Sequence, residues 1–71
     1  MTLADACNRA FAHGATPLEI EQSALRQRAS VRSTATRNMI KALQMHSWHN
    51  TRDDWVRMAG ALLARKWSRT A

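Results

Sequence analysis

Three segments of this sequence carry a threonine followed three positions later by a carboxylate, a spacing typical of the start of a helix. The threonine side chain accepts a hydrogen bond from the third helical residue, and a carboxylate there suits the positive end of the helix dipole. The three pairs are Thr2 with Asp5, Thr16 with Glu19, and Thr51 with Asp54. Pro17 suits a first helical turn, and Gly14 can adopt the left-handed conformation that ends a helix. We therefore predict helices over about residues 3–13, from 17 to about 28 or 29, and over 51–68.

Another helix is predicted between the second and third of these starts. After a short turn at 29–33, Ser33 or Thr34 begins a helix that ends at about Met45. Alternating runs of β-branched residues, which would favour strands, are absent from the sequence. We therefore expect an all-α fold, a small bundle of four helices, or of five if Ser23 begins a new helix. A chain of 71 residues forms one domain, residues 1–71.

Apolar side chains recur at helical spacing along each predicted helix, and we expect these positions to form the core. They are Leu3, Ala6, Cys7, Ala10 and Phe11 in the first helix, Leu18, Ile20, Ala24 and Leu25 in the second, Thr36, Met39, Ile40 and Leu43 in the third, and Trp55, Met58, Ala59, Leu62 and Leu63 in the last. A core of this size supplies only about 3–5 kcal/mol, which favours additional burial against a second chain.

The last helix has a second, shallower apolar side beside its core stripe. This side comprises Val56, Gly60, Ala64 and Trp67. Because a shallow side lets a second chain approach closely, we expect a two-fold homodimer interface here. The equal alternative is that Trp55 and Trp67 complete the core of a single chain. Three cations, Arg65, Lys66 and Arg69, suit the negative end of this helix.

Positive charge is concentrated in the middle of the sequence. The chain has 11 Lys and Arg against 5 Asp and Glu, a net charge of +6, and an isoelectric point of about 11.5. The cations of the central segment, with no acid among them, are Arg26, Arg28, Arg32, Arg37 and Lys41. Such an excess favours a polyanionic partner, either nucleic acid or an acidic membrane surface. The alternative is a generally arginine-rich composition without a specific partner.

Residues 25–43 read LRQRASVRSTATRNMIKAL, and this segment resembles the helix-turn-helix family of bacterial DNA-binding regulators. The positions that carry the resemblance are Leu25, Ala29, Ser30 and Val31 in the first helix and turn, Ser33, Thr34 and Arg37 among the polar positions, and Ile40 and Leu43 at the end of the recognition helix. The resemblance implies a helix-turn-helix over about 17–45. A wing hairpin is not expected, since only 46–50 separates this unit from the next helix start.

The predicted third helix separates an apolar back from a polar face, as a helix that reads the major groove requires. On this basis we expect base contacts from Ser33, Thr34, Arg37 and Asn38, and phosphate contacts from Arg26, Arg28, Arg32 and Lys41. Arginine pairs with guanine and asparagine with adenine, whereas phosphate contacts set register without reading sequence. The expected partner is double-stranded DNA. RNA is a weaker alternative, and an ordinary solvated helix surface is the other.

These features together predict a small, cytoplasmic, sequence-specific DNA-binding protein that regulates transcription in a bacterium, plasmid or phage. The alternative is a small phage- or plasmid-type accessory protein that binds and modulates a host protein. Such a protein would more naturally expose an apolar hot spot than a bare basic face.

Other classes of function have little support in the sequence. No nucleophile, base and acid can be assigned as a catalytic set, so we expect neither an enzyme nor a small-molecule substrate. His46 and His49, with Cys7 and His13, lack the spacing of a structural zinc site, so no metal or other cofactor is expected. Cys7 is the only cysteine, which excludes an intramolecular disulfide and favours a reducing compartment. No apolar run approaches the ~18 residues of a membrane span. A membrane-surface helix is also not expected, because two acids open the last helix.

Overall fold

The computed structural model of the chain describes residues 1–45 and 51–70, and the regular structure in these ranges is entirely helical. The elements are α1 (Leu3–Ala12), α2 (Pro17–Gln27), one turn of 3₁₀ helix (Arg28–Ser30), α3 (Thr34–Met45) and α4 (Arg52–Thr70). The predicted all-α bundle of four helices is confirmed. The five-helix alternative is wrong, because α2 continues through Ser23 without a break. The predicted connector at 46–50, with His46, Trp48 and His49, lies outside the described residues.

Helix starts follow the threonine–carboxylate pairs. The backbone N–H of Asp5 donates to the Thr2 hydroxyl over 3.1 Å, and the Asp5 carboxylate accepts from the Thr2 backbone. Thr16 and Glu19 form the same capping box at α2, with Pro17 in its first turn. At α4 the N–H of Asp54 donates to the Thr51 hydroxyl over 3.2 Å. The predicted starts of α1, α2 and α4 are thus confirmed.

Helix α1 ends just before Gly14, whose φ of 89° lies in the left-handed region. The N–H of Gly14 donates to the carbonyl of Phe11, and the N–H of Ala15 donates to the carbonyl of Ala10. These two bonds satisfy carbonyls that the last helical turn would otherwise leave unpaired, which is the Schellman arrangement. The prediction that Gly14 ends the first helix is confirmed.

Helix α4 is the centre of the bundle, since α1, α2 and α3 all pack against it. Met58 is fully buried on α4, and Trp55 of the same helix packs with Ile20 of α2 and Ile40 of α3 in the main core. Helices α2 and α3 pack mainly on α4 and make little contact with each other. In a helix-turn-helix the two helices pack directly together across a short turn. The predicted helix-turn-helix is therefore not confirmed.

Helices α2 and α4 approach each other closely at Gly60 of α4, which lies against Ser23 and Ala24 of α2. A β-carbon on Gly60 would lie 2.4 Å from the Ser23 Oγ and 3.0 Å from the Ala24 backbone nitrogen. The side chain of Gln27 strengthens this crossing by donating to the Ser23 hydroxyl (2.9 Å) and to the Arg57 carbonyl (3.0 Å). The shallow side of α4 therefore receives α2 of the same chain.

This packing corrects the predicted dimer interface. Val56, Gly60 and Ala64 are buried within one chain, and Trp67 is half-buried against a small core at the end of α4. A second copy cannot approach along a face that α2 already covers. The alternative, in which the tryptophans of α4 pack within a single chain, agrees with the structure.

The inward face of α2 also differs from the prediction. Ile20 and Ala24 are buried as expected, but Leu18 and Leu25 are 61% and 54% exposed. The small Ser23, rather than a leucine, occupies the crossing with α4. In α1, Phe11 is also exposed, while the alanines of its apolar stripe are buried.

Among the helices of the described ranges, none combines the length and apolar character needed to cross a bilayer.

Candidate functional site

Helix α3 has one face in the core and one face in solvent. Thr36, Ile40 and Leu43 are buried, and Met39 packs partly against the core. The opposite face is exposed and comprises Thr34, Arg37, Asn38 and Lys41. The predicted partition of this helix is confirmed. Its exposed side chains stand on a backbone that packing against α4 holds in place.

Ser33 has one of its two predicted roles, at the start of α3. Its hydroxyl accepts from the backbone N–H of Thr36 over 3.1 Å and donates to the Thr36 hydroxyl over 3.0 Å. Ser33 is also half-buried. Its single O–H donor is used at the start of α3, which leaves only a remaining lone pair for a contact with a base.

The turn before α3 is anchored to α4 by Val31. This side chain is 4% exposed and packs in a small second core with Ala24 of α2 and Ala64 of α4. Because Val31 is fixed, the residue after it is held beside the last turns of α4. The Nε–H of Arg32 accordingly donates to the Ser68 hydroxyl over 3.1 Å.

Four arginines from three parts of the chain line one cleft. We call it the arginine cleft; its lining is Val31, Arg32, Arg37, Arg65, Ser68 and Arg69, and its volume is about 350 Å³. Within the described part of the chain, no acidic side chain lines it. Its cations come from the turn before α3, from α3 itself and from the end of α4. The cleft thus joins the exposed face of α3 to the last turns of α4.

A second cleft of about 360 Å³ adjoins the first. It is lined by Arg28, Arg32, Ala64, Trp67 and Ser68, and it shares two of these residues with the arginine cleft. The half-buried Trp67 lines it beside two arginines. The basic surface therefore continues from α3 around the end of α4 to the 3₁₀ turn.

Arg26, predicted to contact phosphate, lies apart from this surface. It lines a different cleft with Asp53, Val56 and Arg57, in the N-terminal half of α4. The structure therefore brings together Arg28, Arg32 and Arg37 of the predicted cations, with Lys41 one helical turn beyond Arg37 on the same face. It does not bring Arg26 to them.

Cations at the other end of the molecule have partners. Arg52 forms an ion pair with Glu19, which links the start of α4 to the start of α2, and also contacts Asp53 at 3.4 Å. The Arg9 guanidinium lies over the ring of Trp55, 4.9 Å from its centroid. The arginine cleft at the end of α4 differs from this end of the molecule, because its described lining contains arginines and no acidic side chain.

The pKa values of Asp5 and Cys7, both on α1, are shifted from their usual values. Hydrogen bonds from Thr2, first from its side chain and then from its backbone, hold the pKa of Asp5 below its usual value. Partial burial raises the pKa of the Cys7 thiol. Neither group lines the arginine cleft. Among the described residues, no group of three or more His, Cys, Asp or Glu is placed to hold a metal ion.

Sequence reasoning missed the contribution of Arg65 and Arg69 to this site. Both had an adequate explanation as cations at the negative end of α4. Their spacing of four residues places them on one face of α4, and the cleft also receives Arg37 from α3. Periodicity does not say which helix lies opposite that face.

No protein-family model matches the chain, and no curated protein or solved structure is significantly similar to it.

Proposed function

We propose that this chain is a sequence-specific DNA-binding protein of the small transcriptional-regulator type, which reads the major groove with α3. The observation that carries the proposal is the exposed face of α3, where Thr34, Arg37, Asn38 and Lys41 stand together on a packed back. The positive charge of this face continues into the arginine cleft, where the described lining includes no acidic side chain. A role on bacterial, plasmid or phage DNA would place the protein in the cytoplasm.

The dimensions of α3 suit a major groove. Twelve residues give a helix about 18 Å long, and the groove of B-form DNA is about 12 Å wide, enough to admit one helix. Arg37 is suited to the acceptor pair on guanine, and Asn38 to the donor and acceptor on adenine. Thr34 lies one turn before Asn38 and has a hydroxyl that suits several base edges. These three residues are the proposed base-reading set.

Phosphate contacts would come from both sides of this set. Lys41 lies one turn beyond Arg37 on α3, whereas Arg28 and Arg32 lie in and after the 3₁₀ turn. Such contacts orient a protein on the duplex and make its affinity depend on salt. The proposal does not require a helix-turn-helix, because packing on α4 supplies the support that α2 gives in that motif.

The direct test is fluorescence anisotropy of labelled duplex DNA, titrated with the full chain at two salt concentrations. Binding that weakens steeply with salt supports the proposal, because each neutralised phosphate contributes about 0.9 to the slope of log affinity against log salt. Absence of binding to any duplex at low salt would rule it out. A single-stranded RNA of the same sequence tests RNA as the alternative partner. Tighter binding to this RNA than to the duplex would contradict reading of the major groove.

A second candidate is a protein that binds another protein. Leu18 and Leu25 favour it, because they lie seven residues apart on α2, so two helical turns separate them on one face, and both are more than half exposed. Apolar side chains at this spacing are the anchors by which a helix lies in the groove of a partner protein. Replacing both leucines by glutamine separates the candidates: DNA binding should survive, whereas binding to a protein partner through α2 should not.

A further inference from the structure

The end of α4 contributes Arg65, Ser68 and Arg69 to the arginine cleft, and none of these three residues belongs to the proposed set of DNA contacts. We infer that this cleft binds phosphate groups, and that in the complex with DNA it holds the backbone beside the groove that α3 enters. The part concerning DNA rests on the proposed function. Phosphate recognition by the cleft itself does not.

Two of the four arginines in the cleft lie at the unfavourable end of a helix dipole. Acids occupy the first turns of α1, α2 and α4, but α3 has none in its first turn. Arg32 and Arg37 instead lie just before and within the first turns of α3, the positive end, where cations are unfavourable. Dipole compensation explains Arg65 and Arg69 at the end of α4, but it cannot explain these two. A bound anion would offset the repulsion among all four guanidinium groups.

Asp53, Glu19 and Asp5, all in the described ranges, do not supply that anion. Asp53 lies sixteen residues before Arg69 on α4, about 24 Å along the helix axis. Glu19 is already paired with Arg52 at that same distant end. Charges separated by more than about 8 Å are largely screened at physiological salt. The Asp5 carboxylate is engaged with Thr2 and lines a cleft other than this one.

The donor groups match a tetrahedral oxyanion. Guanidinium groups present paired N–H donors in a fixed fork, which fits two phosphate oxygens at once. The Ser68 hydroxyl accepts from the Nε–H of Arg32, which holds this guanidinium at the cleft and leaves the hydroxyl's own proton for another acceptor. A volume of about 350 Å³ has room for a pair of linked phosphates. Linked phosphates could come from a nucleic-acid backbone or from a free polyphosphate.

The test uses the full chain and two variants of α4 that remove one exposed arginine each. Arg69→Ala empties one side of the cleft, and Arg57→Ala is the matched control, since Arg57 lies on the same helix in another cleft beside Asp53. Circular dichroism first establishes that both variants retain the helical fold. Each protein is then titrated with inorganic pyrophosphate by calorimetry, and with duplex DNA by anisotropy over a series of salt concentrations.

For pyrophosphate we expect binding by the wild type and by Arg57→Ala, and at least tenfold weaker binding by Arg69→Ala. For DNA we expect Arg69→Ala to lower the magnitude of the salt slope by about 0.9, the contribution of one phosphate, with no such change in Arg57→Ala. Binding of pyrophosphate without binding of duplex DNA would support phosphate recognition by the cleft, with a free polyphosphate as its ligand. The same result would contradict the proposed DNA function. Equal behaviour of the two variants toward both probes would overturn the inference, even if DNA binding itself is observed.

Discussion

The Nε of Arg32 lies 3.1 Å from the Oγ of Ser68, so a hydrogen bond ties the turn before α3 to the last turns of α4. The adjacent Val31 makes the same connection through apolar burial, at 4% exposure. These two contacts are expected to contribute differently to stability. A hydrogen bond within a protein replaces hydrogen bonds to water, so its net contribution to the free energy of unfolding is only about 0.5–1.5 kcal/mol, and less at an exposed site. Burying a valine side chain stabilises by about 1.5–3 kcal/mol.

We therefore predict that Val31→Ala lowers the free energy of unfolding by about 1–2 kcal/mol, because it removes buried methyl groups from the second core. Ser68→Ala should lower it by less than about 1 kcal/mol. Urea denaturation followed by circular dichroism measures both. A larger loss for Ser68→Ala than for Val31→Ala would show that the hydrogen bond, and not apolar packing, anchors the turn.

Arg37 and Lys41 share the exposed face of α3 but have different proposed roles. Arg37→Ala should cost about 1–3 kcal/mol in binding to the preferred duplex and relax specificity at one base pair. Lys41→Ala should weaken binding to all duplexes alike and reduce the salt slope by about one. Anisotropy titrations with preferred and scrambled duplexes separate the two effects. Equal binding by the wild type and both variants would contradict the assignment.

Gly60 is predicted to be essential for the packing of α2 on α4. Gly60→Ala should lower the free energy of unfolding by about 1–3 kcal/mol, even though alanine is the better helix former, because its β-carbon meets Ser23 and the backbone of Ala24. Ser23→Gly in the same chain should recover part of the loss, since it removes the Oγ and Cβ contacts. A double-mutant cycle measures this coupling, and strict additivity would show that the helices do not cross closely at these residues.

The capping box of α1 predicts a pH-dependent contribution to stability. Since the pKa of Asp5 is lower in the folded chain, its ionised form stabilises the fold above the ordinary carboxyl pKa of about 4, and this contribution is lost as the pH falls through the folded pKa. Asp5→Asn should therefore lower the melting temperature at pH 6, and the difference from wild type should shrink at pH 2.5. A difference that does not change with pH would show that the charge of Asp5 plays no part.

The ends of helices were predictable because capping is local. Thr2 with Asp5, Thr16 with Glu19, and Gly14 each act within a turn or so of the chain, so the residues that set the geometry are adjacent in the sequence. The two faces of α3 were predictable for a similar reason. A helix of fixed pitch assigns Ile40 and Arg37 to opposite sides whatever it packs against.

What the sequence does not reveal is which face meets which partner. The small Gly60 led to the prediction of a second chain at this face, whereas α2 of the same chain packs there. Nothing local in the sequence distinguishes these two partners. Because that approach requires small side chains, Ser23 and Ala24 face α4, and the larger Leu18 and Leu25 remain in solvent. A pattern that counts only apolar residues cannot anticipate this choice.

The arginine cleft was unpredictable for the same reason. Arg37 and Arg65 are 28 positions apart, and they meet only because α4 packs back across the bundle. By sequence alone Arg65 is one more cation at the end of a helix.

Selection from a random pool of duplexes tests most directly whether α3 reads bases. The wild-type chain is allowed to bind the pool at moderate salt, and the bound duplexes are sequenced over successive rounds. If α3 reads bases, we expect enrichment of a short motif containing guanine, where Arg37 would bind, next to adenine, where Asn38 would bind, and loss of the guanine preference in Arg37→Ala. Retention of duplexes without enrichment of any motif would contradict base reading by α3, because binding would then rest on phosphates alone.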